Sequence, residues 1–482
     1  MYYEKFMNSI PQDSGWASDA SFASCGGCVS GMWGQPHEDG GVVLYSHDGQ
    51  VVADGGPEAR HVLIVGATGT GKSRLVVMPS LMYSLTATVK KSLVVFDVKG
   101  ELRRNTEDLA RANGYKTLCV NFRNPLEGNG WNPLARMNRL YFSGSQEDRE
   151  TAWRLLENII DIVFSDGNSN TDPFWRRSSA SLFRGICAVL WEMKRPLTLQ
   201  SIIKLGNTVP MDSDDDRNCE LFTLADNMPP TCVAKRALVS FRSGSDKTRG
   251  NVLACYYGYL APMTARDDVM KMISCKESVD FLGMGKEPTV FYICLPDDTT
   301  SLGSLQGMLI TQMMQELNEV AMANEGCLPV KTDIYLDELC NVKPAIPSLE
   351  TALTIARSRG IRYILAVQSY AQLCGVYGPA AETIAANCSS WIALNVSKDE
   401  SFRTKLSNLC GSNYLGNPLI TPSQLALLRY EEGVIIRERS LPYFSQLEDV
   451  SKIVSRLKDP KHEALPGGAA RKKDNSERGH AA

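Results

Sequence analysis

The sequence predicts an α/β fold, in which a mostly parallel sheet forms the core and an all-α domain is inserted into it. Short apolar segments recur at the spacing of alternating strands and helices, starting with HVLIV at 61–65. These segments are nearly continuous apolar runs, which is typical of parallel strands covered on both faces. From about 149 to 285 the pattern changes to helical periodicity, which divides the strand-bearing chain into two parts.

The first segment, residues 1–60, is rich in Gly, Ser and Asp and carries short strand signals such as GGVVLYSHDGQVV. Within it, SHDGQ has the composition of a hairpin turn. We interpret this segment as a small N-terminal appendage. It also holds Cys25 and Cys28 in a C-x-x-C pair, but no second pair lies at zinc-ligand spacing, so free thiols are favoured over a metal or redox role.

Residues 61–148 form the first part of a predicted nucleotide-binding domain, with strands at HVLIV, SLVVFDV and TLCVNF. Between HVLIV and a plausible helix lies GATGTGKS, which fits the pattern G-x-x-x-x-G-K-[ST]. The loop consists of Gly66, Ala67, Thr68, Gly69, Thr70, Gly71, Lys72 and Ser73. Its backbone N–H groups and the helix dipole favour phosphate, Lys72 can reach the β- and γ-phosphates, and the Ser73 hydroxyl can bind Mg²⁺. The alternative is an ordinary glycine-rich turn, but the lysine and the flanking strand favour a nucleoside triphosphate site.

Residues 149–285 read as the inserted all-α domain, with amphipathic stretches such as TAWRLLENIIDIVF. Toward its end, residues 240–263 place basic groups before a tyrosine-bearing helix. The residues concerned are Arg242, Lys247, Thr248, Arg249, Tyr256, Tyr257 and Tyr259. Such a pattern can bind a DNA backbone, although aromatic residues at helical spacing also serve in packing.

Residues 286–458 form the second part of the nucleotide-binding domain, with strands from TVFYICL at 289–295 to EGVIIRE at 432–438. In IYLDEL, the hydrophobic strand would deliver Asp337 to the glycine-rich loop as a Mg²⁺ ligand. Glu338 would then polarise the attacking water, a feature of hydrolysing motors. The alternative is a strand end with two solvated acids.

Three further sets of polar residues are candidates for the same site. Gln368 ends the strand RYILAVQ, where it can sense the γ-phosphate or simply cap the next turn. Asp97 ends SLVVFDV at the same rim, with either a nucleotide-site or a structural role. Arg357 and Arg359 precede a glycine that ends a helix, and one of them is expected to act on a neighbouring subunit's phosphate; the alternative is solvated charges that offset the helix dipole.

The composition limits the possible partners and location of the protein but does not identify its function. The net charge is −3, from 51 basic and 54 acidic residues, so any contact with nucleic acid must be local. No apolar run approaches the ~20 residues that span a bilayer, and the N-terminus is polar, so we expect a cytoplasmic protein. Residues 459–482 are rich in Pro, Gly and charge and are predicted to be a disordered tail.

Five segments together resemble the VirD4/TraG type IV secretion coupling proteins over roughly residues 60–440. The segments are HVLIVGATGTGKS, VVFDVKGEL, WNPL at 131–134, YLDELCNVKPAIPSLETALTIARSRGIRYILAVQSYAQL and ANCSSWIAL. The resemblance implies a RecA/FtsK-like P-loop ATPase with an all-α insertion. Lys72 and Ser73 would be Walker A residues, Asp337 and Glu338 would be Walker B residues, and Gln368 would be the sensor.

The resemblance also implies partners. Members of this family assemble as hexamers at the mouth of a secretion channel, recruit a relaxase–DNA complex or protein substrates, and drive transfer between cells. Most begin with transmembrane helices, which this sequence does not show. We therefore expect a location at the cytoplasmic face of the inner or cell membrane, through a partner or a missing anchor.

Three functions remain in competition. The first is an ATP-driven coupling protein that moves single-stranded DNA with its pilot protein. The second is an FtsK/HerA-like double-stranded DNA translocase, which the LDELCNV block and WNPL disfavour. The third is an ATP-binding adaptor that recruits substrates with little turnover, which the presence of Lys72, Asp337 and Glu338 disfavours.

Overall fold

The computed structural model describes residues 15–56, 60–165, 172–296, 302–342, 345–396 and 399–458. The predicted tail at 459–482 lies outside these residues. None of the helices in the described part of the chain is both long enough and apolar enough to cross a bilayer.

The core is a nine-stranded sheet in the order β12-β11-β10-β4-β9-β8-β5-β7-β6. Its strands are β4 His61–Val65, β5 Ser92–Asp97, β6 Lys116–Asn121, β7 Thr289–Cys294, β8 Thr332–Leu336, β9 Ile361–Val367, β10 Cys388–Ala393, β11 Glu432–Arg437 and β12 Tyr443–Gln446. The strands from β10 to β6 pair in parallel, and β11 and β12 add antiparallel pairs at one edge. The predicted mostly parallel sheet is therefore confirmed.

Helices cover both faces of this sheet, as the burial of the parallel strands requires. After the glycine-rich loop, a π-helical turn at Lys72–Val77 runs directly into α2. Outside the stretch between β6 and β7, the helices are α1 Asp19–Ala23, α2 Met78–Thr86, α3 Glu101–Ala112, α13 Gly303–Ala323, α14 Leu349–Ala356, α15 Tyr370–Tyr377, α16 Ala380–Ala386, α17 Glu400–Cys410, α18 Pro422–Leu425 and α19 Val450–Leu457.

A helical segment separates β6 from β7, although these two strands are neighbours in the sheet. Its helices are α4 Ala135–Tyr141, α5 Gln146–Val163, α6 Pro173–Glu192, α7 Leu199–Gly206, α8 Glu220–Asp226, α9 Val233–Arg242, α10 Asp246–Thr264, α11 Asp267–Ile273 and α12 Phe281–Met284. The helices start at Ala135, earlier than the position near 149 where the helical periodicity begins. The segment leaves the sheet after β6 and returns at β7, next to it, so the insertion does not separate these two strands in the sheet.

A small antiparallel sheet precedes the core, with strands β1 Cys28–Met32, β2 Val42–His47 and β3 Gln50–Asp54 in the order β1-β3-β2. The turn between β2 and β3 has Asp48 and Gly49 at positive φ, as a two-residue hairpin requires. Val43 and Leu44 are fully buried and share a core with strands of the large sheet. The segment therefore packs against the large sheet and does not stand apart from it.

His61, the first residue of β4, is buried at the amino edge of the sheet. Its Nε2 lies 2.9 Å from the Leu353 carbonyl oxygen, and its Nδ1 accepts the backbone N–H of Tyr363 at 3.0 Å. This pair of contacts fixes a neutral ring that donates from Nε2, because Nδ1 must keep its lone pair. Burial lowers the pKa of His61 to about 4.

We expect His61 to make the protein sensitive to mild acid. Between about pH 6.5 and 4 the unfolded chain binds a proton that the folded chain rejects, so stability decreases as pH falls, by about 2 kcal/mol at pH 5. In His61→Asn, which offers an acceptor to Tyr363 but does not titrate, this part of the loss should disappear. The measurement is denaturant unfolding of both proteins at pH 7 and pH 5; an equal loss in the two proteins would contradict the prediction.

Candidate functional site

The glycine-rich loop, residues 66–73, lies at the carboxyl edge of the sheet between β4 and the following helix. Gly69 and Gly71 have φ of +82° and +93°, a region that favours glycine. A Cβ at Gly71 would also lie 2.7 Å from the Leu75 side chain, so the curl of the loop depends on this glycine. The loop thus turns its backbone toward the helix start, where the dipole favours an anion.

Lys72 lies inside the loop. Its Nζ donates to the carbonyl oxygens of Gly66 at 2.6 Å and Ala67 at 3.2 Å. Burial lowers the pKa of its ammonium, and the carboxylate of Asp337 opposes that shift. The ammonium is therefore held at the centre of the loop, facing the two acids that follow β8.

Asp337 follows the last residue of β8, and the loop and the acid meet directly. The Ser73 hydroxyl donates to Asp337 Oδ2 at 2.8 Å. Burial raises the pKa of Asp337 to about 6. Among the described atoms, its other oxygen, Oδ1, is buried without a hydrogen-bond partner. A hydroxyl and a buried carboxylate with one unused oxygen are ligands that suit Mg²⁺, so these two residues fit the predicted metal.

Glu338 is held in a strained position beside Asp337. Its φ of 62° is in the left-handed region, which is uncommon for a residue with a side chain. Its Oε1 lies 3.1 Å from the Lys99 ammonium, and its Oε2 accepts from the Asn341 side-chain amide at 2.6 Å. Both carboxylate oxygens are therefore engaged by neighbours that the sequence interpretation missed. Lys99 was identifiable as the basic residue after β5, at the same rim as Asp97.

Gln368 follows β9, and β9 lies between β4 and β8 in the sheet. This order puts Gln368 between the loop and the acids, and the Thr68 hydroxyl donates to its Oε1 at 3.1 Å. The two residues lie on the wall of a cleft of about 660 Å³, together with Asn395 and Asp399. Gln368 thus contacts the glycine-rich loop directly, and its cleft has room for a ligand of nucleotide size.

Asp97, for which a nucleotide-site role and a structural role were both open, makes a contact that fits the structural role. It is buried, and its Oδ2 accepts the backbone N–H of Arg103 at 2.8 Å, which satisfies one of the unpaired donors of the first turn of α3. This bond ties Asp97 to the helix that follows β5. We therefore treat Asp97 as a support of the loop after β5.

Arg357 and Arg359 lie at the opposite edge of the sheet. They form a short 3₁₀ turn that ends at Gly360, just before the amino end of β9. Seven residues of strand at about 3.3 Å each separate them from Gln368, a span of about 20 Å. Neither arginine can therefore reach the phosphate loop of its own chain. Arg359 also donates to the Gly326 carbonyl at 3.3 Å, whereas Arg357 is exposed.

Most of the basic and aromatic residues at 240–263 make contacts within the helical segment itself. Arg249 is fully buried and pairs with Asp216 at 2.7 Å, and Tyr256 is also fully buried. These two residues cannot contact DNA without unfolding, so of the two alternatives for this segment, DNA contact or packing, they follow packing. The reason is the α10 helix, which turns them toward the interior.

The remaining members of that segment are also engaged, with one exception. Arg242 pairs with Asp226 at 2.7 Å, the Tyr257 hydroxyl donates to the Gly206 carbonyl, and Tyr259 packs against Phe164. Thr248 lies in the first turn of α10, where its N–H donates to the Ser245 hydroxyl. Lys247 is exposed on that turn and stays available to an anion.

Cys25 and Cys28 are free thiols. Arg437 donates to the Cys28 sulfur at 2.8 Å, while burial raises the pKa of that thiol to about 11. A thiol with this pKa is a poor nucleophile near neutral pH. Within the described residues, no group of three or more His, Cys, Asp or Glu side chains has the geometry of a metal site.

Comparisons with known proteins agree on one family. A family model described as type IV secretory system conjugative DNA transfer matches residues 15–415. The chain is 23% identical over 331 residues to protein VirD4 of Rhizobium radiobacter, which covers 67% of this chain and 44% of that protein. The chain therefore spans less than half the length of this relative.

Solved structures show the same fold. Plasmid coupling protein TrwB in complex with the ATP analogue ADPNP has a TM-score of 0.57 and 19% identity, covering 82% of this chain and 86% of that one. TrwB in complex with ADP and Mg²⁺ has a TM-score of 0.57 and 20% identity, with the same coverage. The fold is thus that of a P-loop NTPase, and the match over 15–415 shows that the chain belongs to the type IV secretory system conjugative DNA transfer family.

Proposed function

We propose that this protein is an ATP-hydrolysing coupling protein of a conjugative type IV secretion system, which drives the transfer of single-stranded DNA and its attached protein. The observation that carries the proposal is the bond between Ser73 and Asp337, because it joins the phosphate loop to the acidic pair in one site. The nucleotide-bound TrwB structures support ATP and Mg²⁺ as the cofactors.

Each residue of the site has a distinct task in this proposal. The loop's N–H groups and Lys72 bind the phosphates, while Ser73 and Asp337 hold Mg²⁺, which supplies charge neutralisation when bound. Glu338 accepts a proton from the attacking water. Gln368, through Thr68, links the state of the loop to the segment after β9.

The test is steady-state ATP hydrolysis with no DNA, with single-stranded DNA and with duplex DNA. We expect single-stranded DNA to stimulate turnover most, and Lys72→Ala to abolish it because the phosphates lose their cation. Stimulation by duplex DNA alone would favour the FtsK/HerA-like translocase. Tight ATP binding with negligible turnover under all three conditions would favour the recruiting adaptor.

We further propose that the protein works as a hexamer in which Arg357 acts on the neighbouring subunit's nucleotide. The support is its position, exposed at the edge of the sheet opposite its own phosphate loop. Arg359 is the weaker choice because it is less exposed than Arg357.

Mixing inactive variants tests the trans arrangement. Lys72→Ala and Arg357→Ala should each lack activity, but rings assembled from both should regain part of it, since some interfaces then combine an intact Lys72 with an intact Arg357. A mixture that stays inactive, although the two chains are shown to assemble together, would rule out a role for Arg357 in trans. Arg359→Ala in place of Arg357→Ala is the matched control.

The proposal includes three partners at the cytoplasmic face of the membrane. These are a relaxase–DNA complex, the subunits of the secretion channel and, for attachment to the membrane, a membrane-bound partner. Membership in the conjugative DNA transfer family supports DNA and the channel as partners.

A further inference from the structure

A second cleft lies at the carboxyl edge of the sheet, beyond Glu338 in strand order. The phosphate loop follows β4 and Glu338 follows β8, whereas this cleft is formed where β5, β7 and β6 end. Its volume is about 450 Å³. Four cationic side chains and two carboxylates line it, namely Lys99, Arg103, Arg104, Arg123, Glu107 and Glu127. The cleft therefore has an excess of positive charge in a protein whose net charge is negative.

The cations of this cleft differ in how firmly they are held. Arg123 donates to the Val98 carbonyl at 2.6 Å, which joins the loop after β6 to the loop after β5. Arg103 pairs with Glu107 at 2.8 Å. Arg104 is exposed on the wall, and about half of the Lys99 side chain is exposed. Two cations thus build the cleft, and two face solvent where an anion can meet them.

Lys99 connects this cleft to the hydrolytic site. Its ammonium lies 3.1 Å from Glu338 Oε1, while Asn341 occupies Oε2. As long as Lys99 stays there, both oxygens of Glu338 are engaged by protein groups, which compete with a water molecule for the same carboxylate. A phosphate in the cleft would compete with Glu338 for the same ammonium, because both are anions within reach of one flexible side chain.

We propose that this cleft binds the phosphodiester backbone of the transferred DNA, and that Lys99 moves from Glu338 to the DNA phosphate when the cleft is occupied. The inference rests on the proposed function and adds to it the place of DNA contact and a means of coupling that contact to hydrolysis. Two solvent-facing cations, Arg104 and Lys99, in a groove of net positive charge suit the phosphates of a nucleic-acid backbone, which also explains how a protein of negative net charge can hold DNA. Lys99 is thus a positioning residue for Glu338.

The binding half of the proposal is tested with a fluorescent oligo-dT and two matched variants. Arg104→Ala and Arg236→Ala each remove one exposed arginine charge, the first from the cleft and the second from helix α9, outside the cleft and outside the segment 240–263. We expect Arg104→Ala to weaken binding several-fold and to make the dependence of log K on log salt shallower by about 0.7, the value for one lost phosphate contact on a single strand. Arg236→Ala should bind as the unmodified protein does.

The outcomes separate this inference from the proposed function. If the unmodified protein does not bind the oligonucleotide, the DNA-transfer proposal itself is overturned, and this inference with it. If the protein binds the oligonucleotide but Arg104→Ala binds equally well, only the proposal that DNA binds in this cleft is overturned. Equal weakening in Arg104→Ala and Arg236→Ala would also overturn it, because the effect would then be one of overall charge.

The coupling half is tested by ATP hydrolysis in Lys99 variants. We expect Lys99→Ala to raise the rate without DNA, since Glu338 is released, and to reduce the stimulation by oligo-dT to nearly none. Lys99→Arg, which keeps the charge, should restore stimulation, a rescue that a merely structural role would not produce. Stimulation of Lys99→Ala by the same factor as the unmodified protein would overturn the coupling.

Discussion

Glu338→Gln should reduce kcat for ATP hydrolysis by about 10²–10⁴-fold, because the variant loses the group that accepts the proton of the attacking water. The affinity for ATP should change little, since the phosphate loop and Asp337 are untouched. Gln has nearly the same shape and can keep an oxygen toward Asn341, so the strained backbone at this position is retained. The measurements are turnover and equilibrium binding of a non-hydrolysable ATP analogue.

Glu101→Gln is the matched control for this variant. Glu101 also acts electrostatically on Lys99, but it lies on the first turn of α3 and outside the acidic pair. If the loss in Glu338→Gln came only from a changed field at Lys99, Glu101→Gln would show a comparable loss. We expect Glu101→Gln to retain most of the activity. More than a tenth of the normal turnover in Glu338→Gln would remove Glu338 from the role of base.

The parts of the site that the sequence predicts are those carried by one short segment. HVLIV and GATGTGKS are adjacent in the chain, so the strand, the turn and the helix start follow from local pattern alone. IYLDEL likewise predicts a strand that ends in an acidic pair. The parallel arrangement then requires both segments to end at one edge of the sheet, which is where Ser73 and Asp337 meet.

The contacts that the sequence does not predict join residues far apart in the chain. Lys99 and Glu338 meet because β5 and β8 are neighbours, and no pattern in either segment specifies that pairing. For Arg249, in contrast, the sequence suggests a contact that the structure does not allow. Its segment has the charge of a nucleic-acid contact, but the helix directs the side chain into the core toward Asp216. The direction in which a side chain faces depends on packing between helices, which periodicity alone does not give.

A buried ion pair lies near the amino edge of the large sheet. Arg362 on β9 and Asp333 on β8 are directly opposite in register and almost fully buried. Arg362 Nε donates to Asp333 Oδ1 at 3.0 Å, a second bond joins Nη2 to Oδ2, and Nη1 donates to the Asp54 carbonyl of β3. One guanidinium thus joins two strands of the large sheet to the small one.

Arg362→Met should lower the free energy of unfolding by about 3–5 kcal/mol, because it leaves the Asp333 carboxylate buried without its partner. The measurement is denaturant unfolding at neutral pH. Lys116→Met is the control, since Lys116 pairs with Glu287 at 2.6 Å but both side chains are about half exposed. That variant should lose at most about 1 kcal/mol, as exposed pairs do.

The double variant Arg362→Met, Asp333→Leu separates the cost of an unpaired charge from the value of the pair itself. With both charges removed, apolar packing replaces the ion pair, and most of the loss should be recovered. A remaining deficit would measure the bond to the Asp54 carbonyl, which no apolar side chain can replace. If the double variant is as unstable as Arg362→Met alone, the unpaired Asp333 is not the cause. The arginine would then act mainly by joining the small sheet to β9, the strand that leads to Gln368.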